Sequence, residues 1–292
     1  MMRVKFECPI TFIESEISRV FTVDNENPEC IILNPGVDTF YGKRYFEQFK
    51  NLKVVGTPST GVNHMDCEYL KKKEIKFYSL LDDRKSLDSI TASAEFTWLH
   101  IMNLVRKFSY SLSYVPYWRS IENEDNLRSR ELSGRKLGII GFGRIGKKIK
   151  RYAEAFEMQV KFYDPYVNGR GGQKVDSLQD LSDSDIISIN CYLTEETENM
   201  ITYDVFKYFK NGLMVVNTSR GEVVDENYIA DLVEEGKINY ACDVLQNEQN
   251  IEELKKSRLY RSDKVVITPH IAGVTVDSQT KALEAILKLC MK

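Results

Sequence analysis

The sequence predicts an α/β protein built from two doubly wound parallel-sheet domains. Three observations carry this. Short apolar runs of strand length alternate with helix-length amphipathic stretches along nearly the whole chain, the pattern of repeated βαβ units. The alternation is interrupted by one polar, highly charged stretch at Arg119–Ser133. The length of 292 residues, with 42% hydrophobic side chains, suits two cores of ordinary size better than one.

In the first part, strands are predicted at Val4–Glu7, Cys30–Asn34, Lys53–Gly56 and Ile75–Ser79, with helical character at Tyr41–Lys50. Ser93–Leu112 reads as one long helix, because its apolar Phe96, Leu99, Met102 and Val105 recur every three residues as a buried stripe. Beyond the polar stretch, strands are predicted at Lys136–Ile140, Gln159–Tyr163, Ile186–Asn190, Leu213–Asn217, Tyr240–Val244 and Lys264–Thr268. Asp225 is placed to cap a helix over Glu226–Glu235, and Gly236 to end it. The last helix, Val276–Leu289, has no home in the strand pattern. The expected boundaries are a first domain at 1–92, a connecting helix at 93–119, a nucleotide-binding domain at 120–270 and a C-terminal segment at 271–292.

Charge and cysteine usage narrow the function classes. The formal net charge is −3 and charged residues of both signs are interspersed, so neither nucleic acid nor an anionic membrane is expected as partner. The six cysteines are scattered, without a C-x-x-C pair or a cysteine–histidine cluster, so no metal site is expected and a reducing compartment fits. The first ten residues hold no apolar core with a cleavage site, and no apolar run approaches a membrane span. The expected location is the cytoplasm.

The strongest local motif is Gly141-Phe-Gly143-Arg144-Ile145-Gly146. It succeeds the apolar run Leu137–Ile140 and opens a stretch in which Ile145, Ile149, Ala153 and Phe156 hold helical spacing. Gly141 permits a tight turn, Gly143 lets a pyrophosphate approach the backbone, and Gly146 lets helix and strand pack closely. The helix N-terminus offers unpaired N–H groups and a partial positive charge to the phosphates. A second strand then ends at Asp164, where a carboxylate accepts hydrogen bonds from ribose hydroxyls and repels a 2′-phosphate. NAD is therefore expected over NADP. Arg170 is read as an exposed loop arginine.

Further along stand Val216-Asn-Thr218-Ser219-Arg220-Gly221, Asp243-Val-Leu-Gln-Asn-Glu248 and Thr268-Pro-His270-Ile-Ala-Gly273. In order with the glycine loop, these segments resemble the D-isomer-specific 2-hydroxyacid dehydrogenase family. Thr57–Asp66, with Ser59, Thr60, Gly61 and Val62, resembles that family's substrate-binding loop, and the match spans about three quarters of the chain. The resemblance implies a Rossmann NAD-binding domain inserted in a flavodoxin-like substrate domain, with the last helix returning to the latter. It implies Arg220, Glu248 and His270 as the catalytic trio. It places Arg144, Ile145, Cys191, Tyr192, Thr194, Thr197, Thr218, Ser219, Asp243 and Gly273 on the cofactor side. It implies a homodimer, formed through the long helix from Ser93 and the polar excursion after Trp118. Tyr192 and Gln249 stand where the family often has proline.

The chemistry of these side chains agrees with that implication. Reduction of a 2-keto acid needs a cation for the carboxylate, a proton donor and a hydride source. Arginine offers a planar, permanently charged fork. Histidine exchanges protons near neutral pH, and an adjoining carboxylate stabilises its imidazolium form. Only three histidines occur, His64, His100 and His270. His64 is expected in a loop near the substrate and His100 in a structural role. Small acids such as glyoxylate, hydroxypyruvate or pyruvate are the expected substrates, with a phosphoglycerate-type acid as alternative. A non-enzymatic, NADH-responsive corepressor is the competing function, since the same family contains such proteins.

Overall fold

The computed structural model describes residues 1–10, 20–33, 40–169 and 171–292. Asn34 of the second predicted strand and Arg170 lie outside the described residues. The chain divides into two compact units, Met1–Ile90 with Val274–Lys292, and Thr91–Gly273, so the second is an insertion in the first.

The first unit holds a parallel sheet of β1 (Met2–Phe6), β2 (Phe21–Val23), β3 (Cys30–Ile32), β4 (Val54–Gly56) and β5 (Lys76–Tyr78), in the order β2-β1-β3-β4-β5. Alternate residues feed two cores. Cys30, Ile32 and Val54 join one cluster, while Ile31, Leu33 and Val55 join another with Phe46 and Leu70. Such two-sided burial is what a doubly wound sheet requires. The final helix finds its home here. Val276–Cys290 packs Ala282, Ile286 and Cys290 onto the first of these cores. Gly56 allows this approach, because a Cβ there would stand 2.3 Å from the Ile286 side chain.

The second unit holds β6 (Lys136–Ile140), β7 (Gln159–Tyr163), β8 (Gln173–Val175), β9 (Ile186–Ile189), β10 (Leu213–Asn217), β11 (Ile238–Cys242) and β12 (Val266–Ile267). All pair in parallel, in the order β12-β11-β10-β9-β6-β7-β8. Its helices include α1 (Ala92–Arg106), α2 (Phe108–Leu112), α3 (Arg144–Ala155) and α4 (Glu226–Glu234). α1 and α3 cover one face of the sheet through Ala94, Ile101, Val105, Ile149 and Ala153. α4 covers the other through Ile229, Ala230 and Val233. No described helix is long and apolar enough to cross a membrane.

Several expectations are corrected. The single helix over Ser93–Leu112 is two, because Lys107 adopts a left-handed φ of 50° between α1 and α2. The buried face of α1 runs through Ala94, Thr97, Ile101 and Val105, while Leu99 is exposed. A repeat of three drifts around a helix of 3.6 residues per turn, so the proposed stripe could not stay on one face. The helix expected as a connector is instead a structural layer of the second unit. β2 and β8 were not foreseen, being three-residue edge strands.

Candidate active site

The loops at the carboxyl ends of β6, β7, β9, β10, β11 and β12 carry the predicted residues of the second unit. In an open parallel sheet this is the edge where ligands bind. The turn after β6 is a glycine loop with little steric freedom. Gly141 has a φ of 88°, and a Cβ on it would lie 2.7 Å from the backbone where β9 exits, at Asn190 and Cys191. A Cβ on Gly146 would lie 2.3 Å from the Gly141 carbonyl oxygen. Gly143 differs: among the described residues, a Cβ there meets nothing within 4 Å. Gly143 is also the N-cap of the twelve-residue helix α3, with no side chain capping its N–H groups. An open approach to uncapped amides at a helix N-terminus fits a dinucleotide pyrophosphate. Arg144 and Ile145 form the first residues of that helix.

Asp164 has more work than the sequence suggests. One carboxylate oxygen accepts the N–H of Phe142 at 2.8 Å, inside the glycine loop. The other accepts the N–H groups of Tyr166 and Val167 at 2.9 and 3.1 Å. About three of its roughly four lone-pair positions are thus engaged, leaving one for a ribose hydroxyl. Asp164, expected to receive ribose hydroxyls, therefore also shapes the glycine loop.

Around the exit of β9, Thr197 donates its hydroxyl to the Tyr192 carbonyl at 2.6 Å, and its oxygen accepts the Thr194 N–H at 2.8 Å. These bonds tie Thr194 and Thr197 into one turn. Tyr192 is exposed, and burial pushes the Cys191 thiol up to about 11, which keeps it protonated near neutral pH. Thr218 pairs with Thr97 of α1 at 2.6 Å. Thr97 already donates to the Ser93 carbonyl, so the shared proton comes from Thr218. Ser219 is buried and directs both its N–H and its hydroxyl to Asn217 Oδ1, at 3.0 and 2.8 Å. Its hydroxyl proton is engaged inside the protein. A Cβ on Gly273 would lie 3.8 Å from the Ser93 hydroxyl.

The predicted trio comes together. His270 Nδ1 stands 2.5 Å from Glu248 Oε1. A carboxylate only accepts, so Nδ1 carries the proton and Nε2 is the second ring nitrogen left for chemistry. The His270 pKa is raised, first by the hydrogen bond to Glu248, against the lowering effect of burial. The Glu248 and Asp243 charges raise it further, and Arg220 lowers it. The backbone of His270 has a φ of 53°, a left-handed conformation costly for a non-glycine residue. Two groups hold it there. Its N–H donates to the carbonyls of Asp243 and Thr268. The buried Asp243 carboxylate accepts the Ile271 and Ala272 N–H groups and the Thr268 hydroxyl, at 2.9, 2.7 and 2.6 Å. Asp243, expected on the cofactor side, thus organises the loop that presents His270. His100, expected in a structural role, is buried with Nε2 3.0 Å from the Thr268 hydroxyl.

Arg220 extends from the turn after β10. Asn217, wholly buried at the end of that strand, donates to the Arg220 carbonyl at 2.9 Å, and Arg220 Nη1 donates to the Ser219 carbonyl at 2.6 Å. Gly221 seats this turn directly on the next loop: a Cβ there would lie 2.1 Å from the Leu245 carbonyl carbon. The Arg220 turn and the Glu248 loop are therefore in backbone contact. Sequence reasoning missed Asn217 and Thr97. A polar residue closing the apolar run Leu213–Val216 was the one available signal for Asn217.

The substrate-loop residues Ser59, Thr60, Gly61 and Val62 belong to the first unit. Ser59 accepts the Gly61 N–H at 3.0 Å, and its carbonyl receives the Leu80 N–H at 2.9 Å, which fixes a tight turn. His64 and Thr57 are buried there, and His64 Nε2 and Thr57 Oγ1 have no partner among the described residues. Burial lowers the His64 pKa, so it is neutral near pH 7.

Comparisons with known proteins identify the family. Residues 98–272 match the NAD binding domain of D-isomer specific 2-hydroxyacid dehydrogenases. A hydroxypyruvate reductase of Thermotoga maritima is 31% identical over 246 residues, covering 80% of this chain and 75% of that one. A D-3-phosphoglycerate dehydrogenase of Methanocaldococcus jannaschii is 30% identical over 243 residues, 81% of this chain but only 44% of that longer protein. The crystal structure of a D-lactate dehydrogenase from Aquifex aeolicus, complexed with NAD and lactic acid, superposes with a TM-score of 0.77. It is 27% identical and covers 99% of this chain and 94% of that one. With its glycine loop, its inserted parallel sheet and a matching domain across most of that insertion, the chain belongs to the D-isomer-specific 2-hydroxyacid dehydrogenase family and carries its NAD-binding domain.

Proposed function

We propose that this chain interconverts a small 2-keto acid and the D-2-hydroxy acid, with Arg220, Glu248 and His270 as the acting side chains. The observation that carries the reading is the contact of His270 with Glu248, 22 positions away in sequence. Reduction adds a hydride to the carbonyl carbon and a proton to its oxygen. Bound NADH is the hydride source. His270 Nε2 delivers the proton, while Glu248 fixes the ring through Nδ1 and keeps it charged. Arg220 binds the substrate carboxylate and draws electron density from the carbonyl. Thr57–Val62 supplies small polar groups and backbone amides rather than a cluster of arginines. That composition favours glyoxylate, hydroxypyruvate or pyruvate over a phosphorylated acid.

The test is a panel of these acids and 3-phosphohydroxypyruvate, followed by loss of NADH absorbance. Turnover of at least one is expected. Absence of turnover across the panel, with NADH bound, would favour the corepressor reading instead.

NADH is expected to bind much more tightly than NADPH, because Asp164 faces the added phosphate. Asp164→Ala should narrow that difference. It should also weaken NADH itself by about tenfold and lower stability by about 1–3 kcal/mol, since three N–H groups lose their acceptor. Fluorescence titration with both nucleotides and a thermal melt measure this. Equal affinities in the unaltered protein would contradict it.

We also infer a homodimer. Phe108, Leu112, Val115, Tyr117, Trp118 and Ile121 are exposed within one short stretch, Trp118 at 76% and Ile121 at 95%. So many exposed large apolar side chains in one short stretch fit an interface. Light scattering at micromolar concentration should show two chains, and Ile121→Asp with Trp118→Glu should give one. A monomeric unaltered protein would refute the inference.

A further inference from the structure

The loop between β11 and the helix at Ile251–Leu254 carries Glu248, which is bracketed by one backbone bond, the Asn250 N–H to the Asn247 carbonyl at 2.9 Å. The Leu245 N–H reaches Glu248 Oε2 at 3.3 Å, a weak contact. Asn247 has a left-handed φ of 56°. Further restraints tie the loop to the rest of the unit. Glu226, the first residue of α4, accepts the Gln246 N–H at 2.8 Å. Its other oxygen accepts the Ser257 hydroxyl. The Gln246 side chain donates to the Val224 carbonyl at 2.8 Å and to Asn199 Oδ1 at 3.2 Å. The loop is thus anchored to the start of α4 and to the turn at Asn199.

We propose that Glu226 and Gln246 are positioning residues, which set the placement of Glu248 and through it the protonation of His270. This rests on the reading of His270 and Glu248 as the proton-transfer pair. The physical reason is distance. The 2.5 Å contact between His270 and Glu248 is steep in energy, and a small shift of the loop would weaken it. The charged groups facing His270 are Glu248, Arg220 and Asp243. Neither Glu226 nor Gln246 is among them, so any effect they have on the imidazole passes through the loop. Sequence alone gives no hint of this: Glu226 reads as an ordinary first-turn helix acid, and Gln246 as part of a solvated polar run.

The experiment is a proton NMR titration of the histidines, of which there are three, with His270 assigned by its loss in His270→Gln. Two variants are compared with the unaltered protein. Gln246→Ala removes no charge and truncates a half-buried side chain, so folding is retained. Glu226→Gln keeps shape but removes the charge from the acceptor of the Gln246 N–H; Gln246→Ala alone carries the test if Glu226→Gln does not fold. Both variants should move the His270 midpoint down, and keto-acid turnover should fall by about tenfold to a hundredfold. Thermal melts and NADH titration should show folded, cofactor-competent protein. An unmoved midpoint in either variant overturns the proposal. A midpoint that moves while turnover stays at the unaltered rate points elsewhere: the brace is real, but His270 is not the acid.

Discussion

Removing the imidazole of residue 270 should lower keto-acid turnover by about two to four powers of ten, the range general acid catalysis supplies. The chemistry needs a proton at the carbonyl oxygen as hydride arrives, and among the described residues at this sheet edge only His270 has a ring nitrogen held by a carboxylate. The choice of variant matters because of the backbone. Position 270 has a φ of 53°, which alanine tolerates poorly and asparagine well. His270→Asn therefore isolates the lost acid, while His270→Ala adds some loosening of the loop. Both should bind NADH with unaltered affinity, because Gly141, Gly143, Gly146 and Asp164 lie in other loops. Steady-state rates over a pH series check the first claim and fluorescence titration the second. An unchanged rate in both variants would remove His270 from the mechanism.

The second large effect is expected at Arg220. Arg220→Ala should cost about 3 kcal/mol in kcat/KM, roughly two powers of ten, as the substrate carboxylate loses a charged bidentate partner. The turn itself should survive. Asn217 holds it through the Arg220 carbonyl, which any residue supplies, and Gly221 remains packed on the Leu245–Gln246 backbone. Arg220→Lys should recover only part of the loss, because an ammonium is a point charge and not a planar fork. KM and kcat measured separately distinguish this from a fold defect. Full activity in Arg220→Lys would show that charge alone is needed.

The legible part of this protein was local. β6, Gly141–Gly146, α3, β7 and Asp164 succeed one another within a short span. Each needs a residue type that backbone geometry demands, so spacing alone identifies them. The buried strands of the second sheet were legible for a related reason: covered on both faces, they read as continuous apolar runs. What escaped was set by tertiary contact. The break at Lys107 carries no glycine or proline. β2 and β8 are too short to show alternation. The contact between His270 and Glu248 entered only through the order of family motifs, since nothing in either local sequence specifies the other. Asp164 and Asp243 were read as cofactor-facing acids because a sequence does not show how many backbone amides a carboxylate already serves. Here they serve three and two, besides the Thr268 hydroxyl on Asp243.

His270 as proton donor, kept charged by Glu248, is the centre of the proposed chemistry. Its sharpest test is the pH dependence of keto-acid reduction in the unaltered protein and in Glu248→Gln. A donor must be protonated, so reduction is fastest below the His270 pKa and is lost as pH rises through it. Glu248 raises that pKa, first by its hydrogen bond and further by its charge. Replacing the carboxylate with an amide removes the charge and weakens the bond, so the pKa falls. The falling limb of the profile should therefore move to lower pH in Glu248→Gln, with NADH affinity unchanged. A limb that stays in place, or moves to higher pH, would contradict the assignment of His270 and Glu248 as the proton-transfer pair.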